Sequence, residues 1–255
     1  MAIEIYNIKE NTLCRSYDVR SYEVDAGGRL SVPSIVNFLQ DAASSHALKL
    51  GVAVSQLQAN NYTWVLSRII LKMDKYPRWG DTVRIYTWPS GIEGAFALRD
   101  FDIRCTDQTI GACISAWIIL DTVKRRPVRP KTFARQLKPV DKGHVLDQPL
   151  TKLPALIECQ IEKQFQVRYH DLDINQHVNN VNYIEWLLEC RDPACANHSV
   201  LSELSVNFLG EALLDETVRA RSHTLDSAGL NCEHDILRLT NGQELVRARS
   251  AWQFA

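Results

Sequence analysis

Residues 168–189 read RYHDLDINQHVNNVNYIEWLLE, and the stretch changes character halfway along. Up to His177 it is polar, with Asp171, Asp173, Asn175 and His177 at alternate positions. Alternate residues of an extended backbone project to one side, so this spacing predicts four polar side chains on one face. From Val178 onward, Val181, Tyr183, Ile184, Trp186, Leu187 and Leu188 follow i, i+3, i+4 spacing, which predicts a largely buried helix. Asn179 or Asn180 suits its N-cap, because an Asn oxygen accepts one of the unpaired N–H groups of a first turn. The backbone N–H groups of Val178, Asn179 and Asn180 then lie at the positive end of the helix, beside the acids and the imidazole, as candidate donors to an oxyanion.

A second, weaker copy of the pattern lies near the N-terminus. Val19-Arg-Ser-Tyr-Glu-Val-Asp25 overlays Val167-Arg-Tyr-His-Asp-Leu-Asp173, and a helical stripe follows each. The first stripe, Val32 to Leu50, carries Ile35, Val36, Phe38, Leu39, Ala42, Ala43 and Ala47, with Pro33 in its first turn and Gly51 at its end. Further on, Leu66-Ser and Asp81-Thr-Val-Arg echo Leu204-Ser and Glu216-Thr-Val-Arg, so the chain reads as an internal duplication. The copies differ at two polar positions: Gly27 and Arg29 stand where the second copy has Asn175 and His177.

Strand-like runs follow each helix: residues 63–73, 82–88, 96–106 and 110–121 in the first copy, and 202–209, 217–225, 231–239 and 244–254 in the second. Turn-rich segments separate them, which predicts antiparallel meanders. Between the copies, Pro127, Pro130, Pro139, Pro149 and Pro154 interrupt any periodicity. The expected organisation is therefore a first domain over 1–121, a Pro-rich basic linker over 122–155 and a second domain over 156–255.

A hydrophobic content of 45% with 23% charged residues suits a globular chain that buries a core. A net charge of −1 gives no overall pull toward nucleic acid or anionic membrane. No run approaches the roughly 18 apolar residues of a spanning helix, and the N-terminus reads as neither signal nor transit peptide, so a cytoplasmic location is expected. Seven cysteines without a C-x-x-C pair fit a reducing compartment. Cys190, Cys195 and Cys232 are nucleophile candidates by residue type alone. Asp171, Asp173 and Asn175 imitate the start of a calcium loop, but Gln176 and Asn182 occupy its two diagnostic positions. No spacing matches a standard zinc site, and neither metal nor cofactor is expected.

The signature Asp171-Leu-Asp-Ile-Asn-Gln-His-Val-Asn-Asn-Val-Asn-Tyr-Ile-Glu-Trp186, with Trp64-Val-Leu-Ser-Arg68 and Thr87-Trp-Pro89, resembles the acyl-acyl-carrier-protein thioesterases shared by plant plastids and bacteria. The resemblance covers most of the chain. It implies an α+β tandem (double) hotdog, two long helices each wrapped by an antiparallel sheet and paired as a pseudo-dimer within one chain. It further implies hydrolysis of a fatty acyl thioester on acyl carrier protein, with Asp173, Asn175, His177 and Glu211 at the family's polar positions. A homodimer of the whole chain remains open.

Plant members carry Cys directly after that Glu, where this chain has Ala212. Without the thiol, a Cys-His-Asn scheme loses its nucleophile, and attack by water becomes the better reading. Glu211 and His177 are both candidates for the general base. Asn175 would position water or thioester, and Asp173 would orient its neighbours. The first half, lacking these groups and with Met73 roughly in the place of Glu211, is expected to supply the acyl-chain pocket and scaffold.

Carrier proteins are acidic, so the cluster Lys124, Arg125, Arg126, Arg129 and Lys131 is a candidate docking surface for one. Two rival readings remain: a hydratase or dehydratase on acyl thioesters, and a non-catalytic acyl-binding protein.

Overall fold

The computed structural model describes residues 4–140, 142–191 and 199–254. The chain divides into two compact units, residues 1–67 with 71–150 and residues 68–70 with 151–255. The first contains β1 (Glu4–Asn7), β2 (Thr12–Asp18), α1 (Val32–Lys49), α2 (Val54–Gln58), β3 (Tyr62–Met73), β4 (Thr82–Glu93), β5 (Phe96–Cys105), β6 (Gln108–Asp121), β7 (Arg126–Val128) and α3 (Ala134–Leu137). The second contains β8 (Ile161–Gln166), α4 (Asn180–Glu189), β9 (Ser199–Phe208), β10 (Thr217–Thr224), β11 (Asn231–Arg238) and β12 (Glu244–Phe254).

Strand order is β1-β2-β4-β5-β6-β3 in the first unit, with β7 also on β6, and β9-β12-β11-β10-β8 in the second. Reversed, the second order matches β2-β4-β5-β6-β3 strand for strand. Neither is the simple meander that the spacing suggests. The strand preceding each helix, β2 or β8, pairs with β4 or β10, so β3 and β9 lie at the far side, next to β6 and β12. Each unit is thus a helix on an antiparallel sheet, and the chain is a tandem hotdog.

Each helix starts where its cap dictates. Ser31, extended at φ −70° and ψ 150°, accepts the Ser34 N–H on its hydroxyl, Pro33 fits the first turn, and Gly51 at φ 75° follows the last. α1 buries Ile35, Val36, Phe38, Leu39, Ala42 and Ala43 and packs on β2 and β4. Burial of the Ile, Val, Phe and Leu side chains contributes about 1.5–3 kcal/mol each, against the entropy of ordering them. In α4, Asn179 caps by accepting the Val181 N–H (3.1 Å), and Val181, Tyr183, Ile184, Trp186 and Leu187 are buried.

Of residues 122–155, read from their prolines as linker, 122–150 group with the first unit and 151–155 with the second. Prolines break periodicity without preventing packing, because side chains elsewhere satisfy the irregular backbone. Asn11 Nδ2 donates to the carbonyls of Leu137 (2.9 Å) and Lys138 (2.8 Å), and the buried Asp100 carboxylate accepts from Val145 N–H (2.8 Å). Leu137 is buried with Val52, Leu57 and Ala97. The segment 89–94, expected as a turn, is mostly strand: β4 passes Pro89 by a register shift before Gly91, where a residue without an N–H is tolerated.

Candidate active site

Extended alternation fails at 171–177. Residues 169–171 form a short 3-10 turn, Gln176 adopts φ 63°, and a Leu172–Val178 bridge closes the loop. Asp171 consequently turns away from its expected companions. It is buried, and it accepts from the Arg168 N–H (2.7 Å) and guanidinium (3.0 Å).

The other three residues remain together. Asp173 Oδ1 accepts from the N–H groups of Asn175 (2.8 Å) and His177 (3.3 Å), while Asn175 Nδ2 lies 3.4 Å from Asp173 Oδ2. Asp173 N–H donates to His177 C=O (2.8 Å), which pins the loop from both ends. The strand leaving the sheet at Phe208 brings Glu211 to this loop, with Glu211 Oε2 3.4 Å from His177 Nδ1. Both side chains reach solvent, His177 at 36% and Glu211 at 48% exposure. A carboxylate on one imidazole nitrogen sets the tautomer and leaves the other nitrogen to take a proton.

Two of the three expected oxyanion donors are already engaged. Val178 N–H donates to Ala212 C=O (3.1 Å) and Asn179 N–H to Asp171 C=O (2.9 Å), because both belong to the closed loop rather than the helix. Asn180 is the first helical residue, and its N–H has no acceptor among the described residues. It is the remaining backbone donor at the positive end of α4.

Three residues at this site escaped the sequence reading. Asn182 Nδ2 donates to Asp171 C=O (2.7 Å), the buried Tyr183 hydroxyl accepts from Ala212 N–H (2.7 Å), and Arg238 Nη2 donates to Glu211 C=O (2.6 Å). Burial pushes the Tyr183 phenol far above its ordinary value, so it stays protonated. A tyrosine on an apolar helical stripe is itself a signal, since a buried hydroxyl requires a partner.

Two of the three cysteines named as nucleophile candidates, Cys190 and Cys232, are buried. Burial raises the thiol of Cys190 to about 11 and raises that of Cys232, which disfavours the nucleophilic thiolate. Cys195 lies outside the described residues. Lys124, Arg125, Arg126, Arg129 and Lys131 are all exposed and belong to the first unit, around the hairpin of β6 and β7 and the turn after it. Among the described residues no helix is long and apolar enough to cross a membrane.

Residues 10–132 match the Acyl-ACP thioesterase N-terminal domain family, and residues 155–254 the Acyl-ACP thioesterase C-terminal domain family. A chloroplastic dodecanoyl-[acyl-carrier-protein] hydrolase of Cinnamomum camphora is 30% identical over 256 residues, covering 94% of this chain and 67% of its own. A chloroplastic palmitoyl-acyl carrier protein thioesterase of Arabidopsis thaliana is 30% identical over 260 residues, covering 93% and 63%. The chain thus spans about two thirds of these relatives' length. In fold, it superposes on a 12:0-ACP thioesterase of Umbellularia californica with a TM-score of 0.87 at 24% identity, covering 98% of this chain and 100% of that one. An acyl-ACP thioesterase of Bacteroides thetaiotaomicron superposes with a TM-score of 0.84 at 21% identity, covering 96% and 99%.

Proposed function

This chain belongs to the acyl-acyl-carrier-protein thioesterase family, and from that premise we propose that it hydrolyses fatty acyl-acyl-carrier protein to free fatty acid and carrier protein, using a water that His177 and Glu211 activate together. The carboxylate of Glu211 at 3.4 Å from His177 Nδ1 is the observation that carries this reading.

In the proposed reaction Glu211 accepts from His177 Nδ1–H, and the free Nε2 takes a proton from water as its oxygen attacks the thioester carbon. The arrangement follows the logic of an acid–histidine pair, with water in place of a serine or cysteine nucleophile. Negative charge on the carbonyl oxygen is met by Asn180 N–H and the start of α4, an interaction that strengthens as the charge develops. The C–S bond then breaks, and the imidazolium returns its proton to the departing thiolate. Asp173 fixes the loop that carries Asn175 and His177, and Asn175 orients substrate or water.

The exposed cations Lys124, Arg125, Arg126, Arg129 and Lys131 form the proposed docking surface for the acidic carrier protein, and the first unit receives the acyl chain. A cytoplasmic location accords with free cysteines at 14, 105, 113, 159, 190 and 232.

The test is thiol release from acyl-carrier-protein thioesters by the wild type beside Glu211→Gln, at low and high salt. Loss of about 100- to 10,000-fold in turnover is expected for the variant. The Michaelis constant of the wild type should rise with salt as docking is screened. Near-normal turnover by Glu211→Gln defeats the pairing of Glu211 with His177 in activating the water, and a salt-independent Michaelis constant defeats the docking surface.

A further inference from the structure

The peptide that joins Glu211 to Ala212 is held at both edges. Its carbonyl oxygen accepts from Arg238 Nη2 (2.6 Å), and its N–H donates to Tyr183 Oη (2.7 Å). The groups just beyond are tied as well. Ala212 C=O accepts from Val178 N–H (3.1 Å), and Leu213 N–H donates to Glu216 Oε2 (3.0 Å). That same Glu216 oxygen accepts from Arg238 Nε (3.1 Å), which steadies the guanidinium from behind. Tyr183 is 1% exposed, and its ring lies edge-on to Trp186 at 5.6 Å, so the hydroxyl is presented by a packed helix.

The first unit supplies an internal control. There Leu30 N–H donates to Pro77 C=O (2.7 Å) as Val178 does to Ala212, and Arg78 N–H donates to Asp81 Oδ2 (2.7 Å) as Leu213 does to Glu216. Pro77 thus matches Ala212, and Tyr76 matches Glu211. Ile35, the fourth residue after the cap Ser31, matches Tyr183, the fourth after Asn179. Cys105 pairs with Val83 as Arg238 pairs with Val218. The copy without the carboxylate therefore has no N–H, no hydroxyl and no guanidinium at the three matching positions. Bonds common to both copies build the turn, whereas the N–H, the hydroxyl and the guanidinium that hold the 211–212 peptide are present at the matching positions only in the copy with the acid.

We infer that Tyr183 and Arg238 are positioning residues, whose grip on the 211–212 peptide aims the Glu211 carboxylate at His177 Nδ1. The inference rests on the reading of Glu211 and His177 as the water-activating pair. Fixing that peptide plane anchors the Glu211 Cα and carbonyl carbon, and so narrows the directions in which its side chain can leave the backbone. An ångström of misplacement at a reacting group costs about 100-fold in rate, so even a modest slip registers in turnover.

The experiment measures kcat and KM on an acyl-carrier-protein thioester for Tyr183→Phe, Ala212→Pro, their double variant, and Tyr183→Phe combined with Glu211→Gln. Tyr183→Phe keeps the ring and should lower kcat about 10- to 100-fold while KM changes less than about twofold. Proline at 212 removes the N–H in a turn whose first copy already holds proline. Adding Tyr183→Phe to it, or to Glu211→Gln, should then cost nothing further. Arg238→Ala should likewise lower kcat, with partial recovery in Arg238→Lys.

Wild-type kcat in Tyr183→Phe overturns the inference, and so does an undiminished Tyr183→Phe effect in the Glu211→Gln background, which would show the hydroxyl acting elsewhere. Should the proline variant fail to fold, the Glu211→Gln background makes the same decision. Full activity of Glu211→Gln alone would defeat the premise instead, a result distinct from an inactive Glu211→Gln beside a fully active Tyr183→Phe.

Discussion

The two turns that lead into α1 and α4 share a backbone and differ in their chemistry. In the first, Asp25 Oδ1 accepts from Gly27 N–H (2.8 Å) and Arg29 N–H (2.9 Å); in the second, Asp173 Oδ1 accepts from Asn175 N–H (2.8 Å) and His177 N–H (3.3 Å). Gly28 at φ 72° is matched by Gln176 at φ 63°, and Glu23 holds Arg20 N–H (2.8 Å) as Asp171 holds Arg168 N–H (2.7 Å). Ser31 N–H donates to Glu23 C=O as Asn179 N–H does to Asp171 C=O, both at 2.9 Å. A hydrogen-bonded frame this complete is indifferent to the side chains at its second and fourth positions after the Asp. Gly27 and Arg29 occupy them in one unit, Asn175 and His177 in the other. The frame accounts for the fold, and those positions with Glu211 account for the proposed reaction.

The largest effect should come from converting the second turn into the first. Asn175→Gly with His177→Arg keeps the shared frame, because Arg29 already sits in it 3.5 Å from the Asp25 carboxylate. Loss of the proposed base should lower turnover about 100- to 10,000-fold, with little change in melting temperature. Steady-state kinetics and calorimetry on the double variant make the comparison. Turnover within tenfold of wild type would show that the two turns do not differ in the way that matters.

Outside the turns the units share a buried neutral histidine. His46, with Arg99 Nη1 3.1 Å from its Nδ1, is lowered to about 3 by burial and then by Arg99 and Lys49. His234, with Ser250 Oγ 2.8 Å from its Nε2, is lowered to about 4 by burial and then by Arg191. The unfolded chain takes up both protons near pH 6.5, while the folded chain resists until about 4 and 3. Their contribution is therefore intact above pH 6.5 and is lost as the pH falls through the folded values. Between pH 6.5 and 5 it should decline by about 2 kcal/mol for each histidine, read as a drop in the urea midpoint. His46→Gln, which retains an acceptor for Arg99, should halve that slope. A midpoint unchanged between pH 7 and 5 would contradict both burials.

Much of this was legible in the sequence because helix stripes, caps and turn residues act locally. The stripe from Ile35 to Ala43, Pro33 and Gly51 all lie within one helix length of each other, and the structure uses them as spaced. What depended on distant partners was not legible. The alternation at 171–177 resembled a strand, but Asp171 is claimed by Arg168 and the loop by Asp173, so it curls. Met73 appeared to stand for Glu211, yet the shared Asp81-Thr-Val-Arg and Glu216-Thr-Val-Arg anchors count back to Tyr76, as the Leu30–Pro77 and Val178–Ala212 bonds confirm. The packing of 122–150 on the first unit rests on Asn11 and Asp100, residues too far away in sequence to suggest it.

The smallest effect asks whether the first turn is scaffold alone. Asp25→Ala removes an acceptor from two backbone N–H groups in an exposed loop, where water replaces much of what is lost, so its cost in stability should be about 1 kcal/mol. Turnover should stay within about twofold of wild type, because a frame around Gly27 and Arg29 carries no reacting group. Asp173→Ala removes the matching acceptor at a similar cost in stability, but it also frees the backbone of Asn175 and His177. A fall of about 100-fold in kcat is then expected, from misplacement rather than unfolding. The pair of variants therefore separates the frame from the chemistry that it carries. An equal loss of kcat in Asp25→Ala would mean that the first copy still takes part in turnover, and the division of labour between the units would have to be redrawn.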